Sequence, residues 1–224
     1  MNPRRPGIIK YLLSFLSEIH IETTSSKINP LLHVVFSAGR FKLNTASATY
    51  SFEDRYSSFS SALDAIKKHL PSFQSALVLG LGLGSIPYLL QKQHHFAGRI
   101  DCVEIDQKVI DLAKRYYPTQ PLPEQLNIIH EDANTFIRNN MAKYDLIMVD
   151  LFIDRDIPSS FHEERFLNAL KTSVSPGGIV LFSRLKENHI PEKTLNERLK
   201  NIFSMGKEID TGGNLILRWQ APSP

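Results

Sequence analysis

Ala76-Leu77-Val78-Leu79-Gly80-Leu81-Gly82-Leu83-Gly84-Ser85 decides how this chain folds. An apolar run of strand length stops at three alternating glycines, and a helical pattern follows. Such a run is the mark of a strand buried on both faces of a parallel sheet. Glycine at 80, 82 and 84 lets the backbone turn sharply and approach a ligand with no Cβ in the way. The helix that follows points its free N–H groups back at that ligand. Asp101-Cys102-Val103-Glu104 is a second strand ending in a carboxylate. It stands at about the distance expected of a ribose-binding acid. Glycine-rich turns alone are common, but the two features in register favour a nucleoside-binding crevice over a plain turn beside a solvated Glu.

Outward from this stretch, strands and helices alternate. Strands are expected at 76–79, 100–104, 126–130, 145–150 and 178–183, with helices near 84–93, 107–116, 132–140, 161–171 and 191–203. Alternation of this kind gives an α/β fold: a doubly wound, mostly parallel sheet with right-handed crossovers. The last segments, Met205–Asp210 and Asn214–Trp219, flank Thr211-Gly212-Gly213 and read as a hairpin, so the C-terminal strand is antiparallel. The beginning differs. His20–Thr24 reads as a strand, and Leu32–Phe36 and Arg40–Asn44 form a hairpin about Ser37-Ala38-Gly39. A helix with Tyr56, Phe59, Leu63 and Ile66 on one face follows and ends at Pro71. This divides the chain into 1–52, a small N-terminal helix and β-hairpin region, and 53–224, the ligand-binding domain.

The 224 residues carry a net charge of +3 and no dense Lys/Arg stripe, which argues against a nucleic-acid partner. Lys67-Lys68-His69 sits where cations favour a helix C-terminus. The single cysteine, Cys102, excludes an internal disulfide and reads as a small core residue of a protein in the reducing cytoplasm. Arg4-Arg5 and the apolar segment Ile8–Leu16 look like a targeting signal, but Lys10 interrupts the segment and Glu18 closes it. A short amphipathic helix packed on the domain is expected there, and no run is long enough to span a membrane. His94-His95, His162 and His189 lack ligand spacing and read as surface residues, so no metal site is expected.

Ligands of such sheets bind at the carboxyl ends of the strands. Residues just past each strand therefore form one candidate set. Gly80, Gly82 and Gly84 would cradle the ligand, and Glu104 would accept hydrogen bonds from both ribose hydroxyls. Asp106 reads as the cap of the next helix. Asp132 reads equally as a cap or as an acceptor for an exocyclic adenine amine, with the Ala133 N–H meeting a ring nitrogen. Asp150, ending a buried strand, is either a solvated strand-end acid or the group that orients or deprotonates a nucleophile. Asp154, Arg155 and Asp156 form a surface ion-pair cluster or a substrate lip, the first being the commoner outcome.

Gly80–Gly84, Val103-Glu104-Ile105-Asp106, His130-Glu131-Asp132 and Tyr144–Asp150 resemble the successive motifs of class I S-adenosylmethionine-dependent methyltransferases. More narrowly they resemble the spermidine synthase-like branch, as do Tyr50–Phe59 and the loop Asp150–Pro158. The resemblance implies a Rossmann-like domain behind a small N-terminal β domain, a small-molecule acceptor, and a homodimer formed through the β domain. Three departures stand out. Leu83 occupies the place where the branch carries an Asp that holds the amine of decarboxylated S-adenosylmethionine. Ser57 and Ser58 fall where its linker offers Tyr and His or Gln. Leu151, Phe152 and Ile153 interrupt its compact acidic loop. Burying polyamine ammonium groups without paired carboxylates is costly, and a loop without Asp suits the extra carboxylate of ordinary S-adenosyl-L-methionine. The expectation is thus a methyltransferase of unknown acceptor. The alternative is aminopropyl transfer from decarboxylated S-adenosylmethionine, with Asp150 as base and Asp154 or Asp156 anchoring the distal amine. A third reading is a non-catalytic module in which Phe152 and Ile153 plug the acceptor site.

Overall fold

The computed structural model describes residues 6–186 and 190–223; Arg4-Arg5 and His189 lie outside them. In chain order the first elements are α1 (Ile8–Leu13), β1 (Ile19–Thr24), β2 (Leu32–Ser37), β3 (Arg40–Asn44) and β4 (Thr49–Ser51). The four strands form an antiparallel sheet in that order. The hairpin about Ala38-Gly39 works because both residues adopt positive φ, 49° and 78°.

The second sheet begins after α2 (Ser57–Ile66), with β5 (Ser75–Leu79), α3 (Ser85–His94), β6 (Arg99–Glu104), α4 (Gln107–Tyr116), β7 (Leu126–His130) and α5 (Ala133–Asn139). It continues with β8 (Tyr144–Val149), α6 (Glu164–Thr172), β9 (Val174–Leu185), α7 (Ile190–Ile202), β10 (Lys207–Asp210) and β11 (Asn214–Gln220). The strand order is β10-β11-β9-β8-β5-β6-β7, parallel from β9 to β7, with β11 antiparallel to both its neighbours. The chain leaves β5 toward β6 and β7, then returns to lay β8 on its other side. That reversal puts the topological switch point between β5 and β8.

Side chains of β5 alternate between two cores, as strand geometry requires. Ala76 and Val78 face α2, α3 and α4, meeting Phe59, Leu63, Leu89 and Leu90. Leu77 and Leu79 face α5, α6 and α7, meeting Phe166, Leu170 and Phe203. Each fully buried side chain of this size contributes roughly 1.5–3 kcal/mol. A third core joins the sheets: Leu32, Val34, Phe36 and Leu43 pack on Val109, Leu112 and Tyr116 of α4 and on Leu83. Glu22 of β1 ties the same junction, accepting from Arg115 at 2.9 and 3.0 Å and from the Tyr116 hydroxyl at 2.8 Å.

Several expectations need correction. The α1 helix does not pack an apolar face on the domain: Ile8, Ile9, Leu12 and Leu16 stay exposed. Six residues are too few to lay an apolar stripe along a sheet, and the β2–β3 turn is met by the Tyr11 ring and by the hydroxyl and carbonyl of Ser14, which caps the helix. The α2 helix ends at Ile66, and Pro71 falls in a short 3₁₀ turn. Tyr56 precedes that helix as its N-cap, with its ring stacked on Phe59 and packed on the same core. The β9 strand starts at Val174, and the Pro176-Gly177-Gly178 kink is absorbed by a register shift against β8. The β10 strand starts at Lys207, two residues past Met205. His162 is buried, with its backbone carbonyl accepting from Arg198.

Candidate active site

A cavity of about 830 Å³ opens over the carboxyl ends of β5, β6, β8 and β9. Of the residues singled out from sequence, Gly80, Gly82, Glu104, Asp132, Ala133, Asp150 and Asp154 line it, whereas Gly84 and Asp156 do not. Phe152 and Ile153 line the wall and leave the space open.

The glycines act differently from the sequence-based expectation. All three take positive φ, but the direction a Cβ would take at each is filled by protein. At Gly80 it would stand 2.3 Å from the carbonyl oxygen of Asp150, at Gly82 2.8 Å from that of Tyr50, and at Gly84 2.5 Å from the Tyr117 ring. The loop is thus wedged between β8, β4 and the residue after α4. Leu83 is 2% exposed in the core between β2, β3 and α4. It does not line the cavity, so it carries no information about the amino-acid end of a ligand there.

Glu104 ends β6 with its carboxylate held by two backbone donors, Leu81 N–H at 3.1 Å and Asp106 N–H at 3.0 Å. One donor per oxygen leaves a lone pair on each for two ligand hydroxyls. Burial raises its pKa, and the backbone donors oppose that rise. Asp106 caps α4 as expected, accepting from Lys108 N–H at 2.9 Å and also from Asn29 at 2.7 Å. Asp132 caps α5 by accepting from Thr135 N–H at 2.9 Å while lining the cavity beside Ala133. The two readings of Asp132 are therefore geometrically compatible.

Asp150 follows β8 at the switch point. The Tyr56 hydroxyl donates to its Oδ2 at 2.6 Å. Its buried Oδ1 has no hydrogen bond of normal geometry, although the Ser183 hydroxyl is near enough to favour the charged form. Burial pushes this carboxyl up to about 6, with the Tyr56 and Ser183 hydroxyls restraining the rise. A buried acid with an unsatisfied oxygen is poised to accept a proton or a donor brought by a ligand.

Asp154 lines the cavity with both carboxylate oxygens already engaged. Its Oδ1 accepts from Thr45 and from Ser47 N–H at 3.0 Å, and its Oδ2 from the Ser47 hydroxyl. These donors hold its carboxyl below the usual range. The loop after β8 is thereby clasped to the β3–β4 turn, and Tyr50 reinforces the clasp by accepting from Asp154 N–H and donating to Asn29. Asp156 closes a one-residue bridge with Ile153 and is exposed. Sequence reasoning missed the roles of Tyr56 and Tyr50 and, though it set Ser85 on the crevice, the bonds of Ser85, whose hydroxyl joins Ser51 at 2.7 Å and accepts from Phe52 N–H at 2.8 Å. None has a local signature, since their partners lie 21 to 104 residues away.

This geometry suits a nucleoside-bearing ligand: an acid with a free lone pair on each oxygen at one end and a buried acid with one unpaired oxygen at the other. The chain is 35% identical over 141 residues to a probable polyamine aminopropyl transferase of Bifidobacterium longum, covering 60% of this chain and 30% of that one. It spans 29% to 50% of the length of the first curated relatives it matches. Its structure superposes on spermidine synthase in complex with the transition-state analogue AdoDATO with a TM-score of 0.70 at 16% identity, covering 92% of this chain and 75% of that one. It also matches human methyltransferase-like protein 13 in complex with SAH, TM-score 0.61 at 23% identity over 74% and 80%. At those identities the structural matches speak for the shared Rossmann-like fold. The spermine/spermidine synthase domain model matches residues 62–211, spanning the glycine loop, Glu104, Asp132 and Asp150, and the chain belongs to that family.

Proposed function

We propose that the protein is an aminopropyltransferase that moves the aminopropyl group of decarboxylated S-adenosylmethionine to a small-molecule amine. Relatives called polyamine aminopropyltransferases support this alternative over methyl transfer. The observation in the molecule that carries it is Asp150, buried at the switch point with Tyr56 on one oxygen and the other oxygen unpaired. The argument from Leu83 toward ordinary S-adenosylmethionine lapses, because that side chain is in the core.

Gly80 and Gly82 hold the loop under the ligand, Glu104 receives the ribose hydroxyls, and Asp132 with Ala133 faces the adenine. The sulfonium supplies a carbon already activated for displacement. Asp150 takes one proton from the acceptor ammonium, so that a neutral amine faces that carbon. The amine lone pair forms the new C–N bond while the C–S electron pair stays on sulfur, releasing 5′-methylthioadenosine and a secondary ammonium. Positioning for in-line attack supplies much of the acceleration, and proton removal adds typically 10²–10⁴-fold.

Titration calorimetry with decarboxylated and ordinary S-adenosylmethionine side by side tests the reading. Tighter binding of the decarboxylated form is expected. Preference for the ordinary form would return the weight to methyl transfer, and binding of neither would favour a non-catalytic module.

A further inference from the structure

The switch point divides the cavity by strand position. Glu104 and Asp132 follow β6 and β7, on one side of β5. On the other side lie Asp150 after β8, the end of β9 and the turn between β10 and β11. The acceptor must enter on this second side, next to Asp150. Its charges are uneven. Asp150 is committed to the reacting amine, and both oxygens of Asp154 are taken by Thr45 and Ser47. Among the described residues lining this side, no other carboxylate appears. Cations do: Arg55, adjacent to Tyr56, and Lys186 just past β9. Lys186 also pairs with Asp210 at 2.6 Å, with both side chains half exposed, so that pair is solvent-screened and exchangeable.

A diamine needs an anion for its distal ammonium, and this lip offers positive charge instead. Resting on the aminopropyltransfer reading, we propose that the acceptor is a primary amine whose far end is anionic, an amino acid-like carboxylate, received by Arg55 and Lys186. An anion there gains from both side chains, and a second ammonium is repelled by them. Guanidinium and carboxylate are matched in planar geometry, which gives Arg55 the larger share.

Three four-carbon amines differing only at the far end make the test: 4-aminobutanoate, 1-aminobutane and 1,4-diaminobutane. Calorimetry first establishes binding of decarboxylated S-adenosylmethionine, and 5′-methylthioadenosine release is then followed with each amine. The expected order places 4-aminobutanoate first, with kcat/KM about fivefold above 1,4-diaminobutane, the upper scale of one partly exposed ion pair. Any other amine in first place, or no turnover of 4-aminobutanoate, overturns the proposal while leaving aminopropyl transfer standing. Failure to bind the decarboxylated nucleoside sinks the underlying reading instead. The double variant Arg55→Glu and Lys186→Glu should invert the preference toward 1,4-diaminobutane with nucleoside affinity retained. An equal fall with both acceptors would show a structural role only and would also overturn the assignment.

Discussion

Asp150 is a carboxylate kept where charge is disfavoured, and its environment predicts how activity responds to pH. Burial pushes it up to about 6 and the Tyr56 hydroxyl pulls it back. As a base it works only when ionised, so kcat/KM should rise as pH increases through about 6. Tyr56→Phe removes a donor that favours the charged form, so the rising limb should move to higher pH. A pH profile of the two proteins checks this, and an unmoved or lowered midpoint would contradict it. The same shift affects stability. A carboxyl whose folded pKa is raised contributes stability below its unfolded value of 3.8 and loses it as pH rises through about 6. Asp150→Asn should therefore lose about 10²–10⁴-fold in kcat and yet melt higher than the parent at pH 8, with the gain vanishing below about pH 4. Equal melting temperatures at pH 8 would mean that Asp150 is better solvated than its burial implies. At this scale the sequence was half readable. A strand-end acid is visible in Tyr144–Asp150, but the Tyr56 hydroxyl that tunes it lies 94 residues away and leaves no local trace.

The glycine loop shows what can be read from an element and what cannot. Positive φ at Gly80, Gly82 and Gly84 follows from a strand that must turn at once into a helix. Which atoms occupy the space beside each glycine depends on β4, β8 and Tyr117, and no local pattern specifies that. Leu83 was misjudged for the same reason: alternation through the loop turns it to the third core. Gly80→Ala places a Cβ 2.3 Å from a backbone oxygen, while Gly212→Ala, at a nearly identical φ of +92°, meets nothing within 4 Å. Gly212→Ala should then cost only the backbone strain, about 1–2 kcal/mol, and Gly80→Ala clearly more, together with nucleoside binding. Thermal melts and calorimetry on the pair separate clash from strain, and equal losses would refute the wedge. The clasp makes a second claim. Asp154→Ala should speed hydrogen exchange at 150–158 and 45–48 while the β5–β8 core stays protected. Unchanged exchange in both segments would show that the Asp154 hydrogen bonds do not hold the loop.

Across the whole molecule, the apolar runs made the main sheet legible, because its central strands β5, β6 and β8 are buried on both faces and carry their own signal, while the antiparallel last strand was marked by its glycine turn. The N-terminal hairpin was legible from its turn. The packing of α1 was not, since its apolar composition promised burial that six residues cannot achieve. The two-sided cavity emerges only from strand order, with β6 and β7 opposite β8 and β9. That arrangement underlies the central claim: a nucleoside on one side, an amine on the other, and Asp150 between them. The most direct test is product identity. The purified protein is incubated with decarboxylated and ordinary S-adenosylmethionine and an amine panel that includes 4-aminobutanoate and 1,4-diaminobutane, and the mixture is resolved by mass spectrometry. The account predicts 5′-methylthioadenosine and an acceptor heavier by one aminopropyl group, both formed about 10²–10⁴-fold more slowly with Asp150→Asn; S-adenosylhomocysteine with a methylated acceptor would contradict it.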